Sequence, residues 1–112
     1  MSVVQRRACK TCPFRRDATT WFDPAMLDAT IGSNLRTGYA HNCHTTNEHR
    51  NPKVCAGFAR LVVHNQIHNR MLGMAETLGI FHPEHDLDRV SDLETESWEA
   101  VLAMHHQRGS SW

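Results

Sequence analysis

Four cysteines are the residues of this 112-residue chain whose type and spacing predict chemistry. They follow the pattern C-x2-C-x30-C-x11-C, at Cys9, Cys12, Cys43 and Cys55. Each lies in, or at the border of, a segment of loop-forming composition, and loops can bring ligands together where helices present fixed faces. Structural cysteines are expected inside apolar helical stripes, and these four lie outside them. The pattern therefore predicts one shared metal site, with free thiols as the alternative.

The spacing also bears on which metal is bound. Four thiolates hold either zinc or an iron–sulfur cluster. Structural zinc modules usually present two close pairs of ligands, whereas this chain has one close pair, Cys9 and Cys12, and two distant single cysteines. Such spacing favours a [4Fe–4S] cluster, whose corners are farther apart than four ligands on one ion. We therefore expect a [4Fe–4S] cluster, with zinc as the alternative.

Histidines near the cysteines extend the candidate site. His41 and His44 flank Cys43, and either is a candidate to replace a cysteine as ligand or to donate a hydrogen bond to the site. His64 and His68 are four residues apart and would hold a second metal if one helix carried both. Histidines on a polar or partly buried helix face are the plainer interpretation of that pair.

Basic residues surround the first two cysteines: Arg6, Arg7, Lys10, Arg15 and Arg16. Together with nearby aromatic residues they have the composition of a surface that contacts nucleic-acid phosphates and bases. Alternatively, Arg15 and Arg16 offset the negative charge of a thiolate-rich cluster. Residues 1–70 carry ten Lys/Arg against four Asp/Glu, and residues 71–112 carry two against eight, so attraction between the halves competes with partner binding as an explanation.

Composition places the chain among globular proteins. It is 40% hydrophobic and 21% charged, too apolar for a disordered chain. No apolar run approaches the roughly 20 residues of a membrane span, and the N-terminus lacks the apolar stretch of a signal peptide. We therefore expect a single cytoplasmic domain over residues 1–112 with no membrane partner. In that compartment closely spaced cysteines more often bind metal than form disulfides.

Helical periodicity defines the expected fold. Asp23 and Pro24 have the N-cap and first-turn chemistry of a helix that ends near Gly38. The longest periodic segment, residues 54–79, predicts a second helix with a glycine stop at its end. A capping-box signal at Ser91 and Glu94 predicts a last helix, which buries one face formed by Trp98, Val101, Leu102 and His105. No segment has a strand period, so the sequence predicts a mainly α domain of about three helices, with cysteine-bearing loops around a metal site.

The stretches "CKTCPFRRD", "CHTT" and "CAGF" together resemble a family of small, functionally uncharacterised proteins from actinobacteria and their phages. Its members share a C-x2-C-P-[FY]-R start, a central Cys-His and a later Cys-Ala-Gly-aromatic. The likeness covers about residues 8–62. It extends to Cys9, Cys12, Pro13, Arg15, Cys43, His44, Cys55 and Gly57, and it implies a bacterial or phage cytosol.

These features together predict a regulatory or binding protein whose basic surface meets nucleic acid or a transcription-related partner. The first alternative is a structural-zinc adaptor between proteins, such as a phage protein that acts on a host factor. The second is a small redox enzyme that uses the cluster or the Cys9/Cys12 dithiol. Pro13 and the lack of a preceding strand pattern disfavour a thioredoxin-like dithiol, and we assign no catalytic residue.

Overall fold

The structure is a computed structural model that describes residue 4 and residues 12–17, 21–42, 53–83 and 93–108. These residues are mainly helical, which confirms the predicted class. The described helices are α1 (Pro24–Leu27), α2 (Ser33–Thr37), α3 (Ala56–His64), α4 (Arg70–Thr77) and α5 (Trp98–Arg108). A π-helical turn, Asp28–Gly32, joins α1 to α2. β-Pairing within the described residues consists of isolated bridges.

The first helix begins and ends at the residues expected from sequence. The Asp23 carboxylate accepts a hydrogen bond from the Ala25 N–H, and Pro24 occupies the first turn. At the other end, Gly38 adopts a left-handed φ of 82° and closes α2. A glycine is favoured there because a side chain at positive φ is strained. Local chemistry at Asp23, Pro24 and Gly38 was therefore enough to predict both ends.

The π-helical turn inside this helix is a feature that the sequence did not predict. Trp98 donates its indole N–H to the Asp28 carboxylate at 2.8 Å. Arg36 donates to the same carboxylate at 3.0 Å and to the Asp28 carbonyl at 2.9 Å. A Cβ at Gly32 would collide with the Asp28 carboxylate, so the glycine admits this cluster. The cluster joins the turn to α5.

The predicted helix over residues 54–79 is wrong as one element, because the chain breaks it between α3 and α4. Asn65 ends α3 by donating its side-chain amide to the Leu61 carbonyl at 2.9 Å. Asn69 begins α4, since its side-chain oxygen accepts from the Leu72 N–H at 3.0 Å. Two asparagines that compete with the helical hydrogen bonds explain the break. The break was not predicted because the spacing of apolar residues continues from α3 into α4.

Asn69 also joins this break to the preceding helix. It is only 5% exposed, and its amide donates to the Tyr39 carbonyl at 3.1 Å. The Gly38 carbonyl in turn accepts from the Arg70 N–H at 3.1 Å. The end of α2 and the start of α4 therefore fix each other, and the segment that leads toward His41 leaves from this junction.

The predicted stop of α4 at Gly79 is confirmed. Gly79 has φ 75°, and the Ile80 N–H donates to the Ala75 carbonyl at 3.0 Å while the Gly79 N–H donates to Glu76. This pair of hydrogen bonds is a Schellman motif, which satisfies carbonyls that the helix leaves unpaired.

The last helix begins later than the capping-box signal indicates. The structure starts α5 at Trp98, where the Ala100 N–H donates to the Ser97 hydroxyl at 3.0 Å; Ser91 lies outside the described residues. Ser97 performs the capping role because it directly precedes the first helical turn. The predicted buried face is confirmed, with Val101 and His105 fully buried and Trp98 and Leu102 packed against the core.

One cluster of buried side chains connects the helices. It draws on the N-terminal turn and on every helix, through Phe14, Leu27, Ile31, Leu35, Phe58, Leu61, Leu72, Phe81 and Val101. Phe14, Phe58 and Leu61 are each 0% exposed. Among the described residues, no helix has both the length and the apolarity that crossing a membrane requires.

His105 is a fully buried polar side chain in this core. Its Nδ1 accepts from the Phe22 N–H at 3.0 Å, and its Nε2 lies 2.6 Å from the Pro13 carbonyl oxygen. The two contacts require a neutral ring with the proton on Nε2, which donates to Pro13. Burial lowers the pKa of His105, and the Pro13 carbonyl opposes that shift.

We predict that Asn69→Ala lowers the free energy of unfolding by about 1–3 kcal/mol. The change removes the acceptor of the Leu72 N–H and the donor to Tyr39 at a buried position. Urea denaturation followed by circular dichroism measures the loss. Asn65→Ala is the matched control. Asn65 is exposed, so water can take the place of its amide as the donor to the partner carbonyls. Equal losses for the two variants would refute the assignment of Asn69 as the junction.

We predict that His105→Gln makes the fold less sensitive to acid. The unfolded histidine keeps a pKa of about 6.5, whereas burial lowers the folded-state pKa. The unfolded state therefore binds the extra proton first, so this stability is complete above about pH 6.5 and is lost as the pH falls towards the folded pKa. Unfolding free energies between about pH 5 and 8 measure the effect.

Trp21, Phe22 and Pro13 surround the His105 ring, and none of them carries an ionisable side chain. Arg108 lies over the Trp21 ring at 5.2 Å, and its charge adds to the cost of a second cation here. His106→Gln is the control, because His106 is exposed. An unaltered pH profile for His105→Gln would show that the buried ring does not titrate in this range.

Candidate metal centre

The structure brings together two of the four predicted ligands, Cys12 and Cys55. The residues are 1% and 4% exposed, and their Sγ atoms lie 3.7 Å apart. Both are free thiols rather than a disulfide. Two cysteines that are 43 positions apart in sequence thus have neighbouring sulfurs in the buried interior.

A tight turn presents Cys12. The Arg15 N–H donates to the Cys12 carbonyl at 3.1 Å, and Pro13 supplies the fixed φ that suits the second position of such a turn. The Phe14 N–H then points at the Cys12 sulfur. The sequence "CPFR" therefore folds locally so that the thiol and a backbone donor face the same way.

The start of α3 presents Cys55. Cys55 precedes the first helical residue with φ −58° and ψ 130°, which leaves the first N–H groups of the helix without backbone partners. The Gly57 N–H donates toward both sulfurs, and the Phe58 N–H donates toward Cys55. These amides favour negative charge at the pair, as the helix dipole also does.

The two thiols differ in acidity. The hydrogen bond from Cys55 lowers the pKa of Cys12, and the amides of Phe14 and Gly57 and the charge of Arg15 act in the same direction. The same hydrogen bond and complete burial raise the pKa of Cys55. Cys12 is therefore the more acidic thiol of the pair and loses its proton before Cys55 does.

Backbone pairing next to Cys55 draws two further segments toward the site. Val54 forms a parallel bridge with Val4 and an antiparallel bridge with Asn42. The Cys55 N–H donates to the His41 carbonyl at 2.8 Å. Residues that directly precede a predicted ligand, Val54 and Asn42, therefore lie side by side.

Phe14 and Gly57 explain why the two cysteine segments approach so closely. A Cβ at Gly57 would lie 2.5–2.6 Å from the Phe14 side chain, a distance that real Cβ contacts do not reach. The absent side chain therefore lets the completely buried Phe14 ring lie on the first turn of α3. Sequence spacing did not reveal this contact, although the resemblance includes Gly57.

The remaining predicted ligands divide into described and undescribed residues. Cys9, Cys43 and His44 lie outside the described residues, as do Arg6, Arg7 and Lys10. Within the described ranges, no group of three or more Cys, His, Asp or Glu side chains converges as metal ligands do. His41 is described, and its ring lies 6.2 Å from that of Phe58 while its backbone carbonyl contacts Cys55.

Arg15 and Arg16 both pair with carboxylates. Arg15 makes two hydrogen bonds to Asp17, at 2.8 and 2.9 Å, and Arg16 lies 3.5 Å from Glu94. The charge of Arg15 also lowers the pKa of Cys12, and the offset of a cluster's negative charge by Arg15 and Arg16 stays a prediction. Nucleic-acid contact by these residues stays a prediction.

His64 and His68 do not share a helix, so they lack the common helical face on which a second metal site would depend; both are exposed, as the plainer interpretation expects. His64 is the last residue of α3 and lies 3.7 Å from Glu96. His68 lies within the break between α3 and α4, where the chain is not helical.

His105 contacts the candidate site, although the sequence indicated only that it lies on a buried helix face. Its contact with Pro13, the residue after Cys12, joins positions 92 apart in sequence. No local pattern encodes such a contact. A histidine among the apolar residues of a helical stripe is the one signal that pointed to it.

We predict that Gly57→Ala destabilises the protein by about 1–3 kcal/mol, because its Cβ would overlap Phe14. Gly73→Ala is the matched control: a Cβ there meets nothing within 4 Å, and alanine raises helix stability by up to about 1 kcal/mol. Thermal unfolding of both variants measures the difference. A stabilising effect of Gly57→Ala would show that the turn and α3 do not meet as described.

Comparison with known proteins identifies a family without supplying an activity. No curated protein and no solved structure matches the chain. Residues 4–110 match DUF6283, which is described as a family of unknown function. That match extends beyond residues 8–62, to which the motif resemblance was limited, and includes α4 and α5. The chain therefore belongs to the DUF6283 family.

Proposed function

We propose that the chain is a small metal-binding protein in which Cys9, Cys12, Cys43 and Cys55 bind one metal centre. The observation that carries this proposal is the 3.7 Å separation of the Cys12 and Cys55 sulfurs, together with backbone amides directed at both. A buried thiolate needs such donors or a cation, because burial alone disfavours its charge.

The separation of the two sulfurs bears on the metal. Zinc binds thiolates at about 2.3 Å in a tetrahedron, which places two sulfurs about 3.8 Å apart. Thiolates on different irons of a [4Fe–4S] cube are farther apart than thiolates on one ion, so that cluster would require Cys12 and Cys55 to separate. A single tetrahedral ion fits this pair as it stands. We therefore propose zinc first, with the [4Fe–4S] cluster expected from ligand spacing as the alternative.

Chain connectivity supports a contribution from Cys9 and Cys43. Cys43 directly follows Asn42, whose backbone is bridged to the residue before Cys55. Cys9 lies three residues before Cys12. Consecutive Cα atoms are about 3.8 Å apart, so the chain length keeps both cysteines within reach of the described pair.

Four thiolates would complete the coordination of a zinc ion, and a closed site of this kind is structural. The lowered pKa of Cys12 favours its deprotonation, and metal binding would displace the thiol protons of the ligands. The metal would tie the N-terminal turn to α3 in a chain with a small core. The regulatory or nucleic-acid role, the transcription-related partner and the actinobacterial or phage cytoplasm remain proposals that follow from sequence.

We predict one equivalent of zinc per chain when the protein is purified anaerobically and analysed for metals. A brown protein with broad absorption near about 410 nm and about four irons per chain would support the [4Fe–4S] alternative instead. Cys12→Ser and Cys55→Ser are each expected to lose the metal, because four thiolates act together.

His41→Gln is the matched control. It should retain the metal if four cysteines bind it, and should lose the metal if the imidazole of His41 replaces a thiolate. Protein that binds neither zinc nor iron, even after reconstitution under reducing conditions, would overturn the proposal.

A further inference from the structure

The turn that carries Cys12 is held through three consecutive backbone carbonyls. The Cys12 carbonyl accepts from the Arg15 N–H within the turn, and the Phe14 carbonyl accepts from the Glu94 N–H at 2.7 Å. The carbonyl between them, that of Pro13, accepts from the His105 side chain at 2.6 Å. Arg15 and Glu94 donate from the backbone, whereas His105 donates from its side chain and lies in α5.

The His105 ring is itself held in place. Its second nitrogen accepts from the Phe22 N–H at 3.0 Å, and the rings of Trp21 and Phe22 pack against it at 5.3 and 5.7 Å. Both ring nitrogens are thus occupied and the side chain is fully buried. These contacts fix the orientation of the ring, so the ring determines where the Pro13 carbonyl lies.

This contact lies next to the candidate ligand. Pro13 directly follows Cys12, and the Phe14 amide that faces the Cys12 sulfur begins at the Pro13 carbonyl carbon. The peptide plane that His105 holds is therefore the plane that carries this N–H. Rotation of that plane would turn the amide away from the sulfur, because the C=O and N–H of one peptide point in opposite directions.

We infer that His105 is a positioning residue for the metal centre, through which α5 sets the orientation of Cys12 and hence the metal affinity. The inference rests on the proposed function for its effect on metal. The effect of His105 on the Cys12 turn does not depend on the proposed function, because the hydrogen bond between His105 and Pro13 is observed directly. The two parts are therefore tested by separate measurements.

The first measurement is the zinc affinity of the full chain, by competition with a chelator of known affinity at fixed pH. His105→Phe keeps an aromatic ring but removes both hydrogen bonds, and it should weaken zinc binding about tenfold. His105→Gln keeps an amide donor for Pro13 and should restore the affinity to within about threefold of the wild type. His106→Phe is the control at the exposed neighbouring position.

The second measurement needs no metal. The metal-free proteins are treated with iodoacetamide, and the alkylation of Cys12 is followed by mass spectrometry of its peptide. Cys12 is 1% exposed, so iodoacetamide reaches it only when the turn opens. At a pH high enough to ionise Cys12 in every variant, His105→Phe should make this opening more frequent and raise the alkylation rate about tenfold, whereas His105→Gln and His106→Phe should stay near the wild-type rate.

The outcomes separate the two proposals. Faster alkylation of Cys12 in His105→Phe, in a protein that binds no zinc or iron, would retain the positioning role and overturn the metal site. Unchanged zinc affinity and unchanged alkylation in His105→Phe would overturn the positioning role alone. A change in thermal stability with neither of these effects would assign His105 to the core and not to the site.

Discussion

The approach of the Cys12 turn to the first turn of α3 is the constraint on which the rest of the structure depends. It is possible because Gly57 has no side chain where the Phe14 ring lies. The same approach leaves the two sulfurs 3.7 Å apart on residues that are 1% and 4% exposed. The amides of Phe14 and Gly57 then reach the sulfurs as a consequence of the same packing.

Packing and electrostatics cooperate at this point. A buried thiol pair would ordinarily remain neutral, because burial disfavours charge. Here the hydrogen bond from Cys55, the amides of Phe14 and Gly57 and the charge of Arg15 lower the pKa of Cys12 against the effect of burial, while the pKa of Cys55 is raised. Residues remote from the pair in sequence also contribute: the His105 side chain of α5 donates to the Pro13 carbonyl, and the Glu94 N–H donates to the Phe14 carbonyl. The site is thus supported by elements from both ends of the chain.

Prediction from sequence succeeded where the determining chemistry is local. Asp23, Pro24 and Gly38 define the first helix through their own side chains or φ angles, and Gly79 ends α4 in the same way. It failed where two local signals compete. The apolar period runs through residues 54–79, but Asn65 and Asn69 bond to the backbone and break the helix; Ser97, adjacent to the first turn, caps α5.

The sequence by itself determined the helical class, the ends of the first helix, the buried face of α5 and the cysteines as candidate metal ligands. The tertiary structure alone decided that Cys12 and Cys55 meet, that Gly57 accommodates Phe14 and that His105 holds the Pro13 carbonyl. Each of these contacts joins residues more than 40 positions apart. Their formation depends on how helices pack around a shared core, and residue type and spacing along the chain do not encode that arrangement.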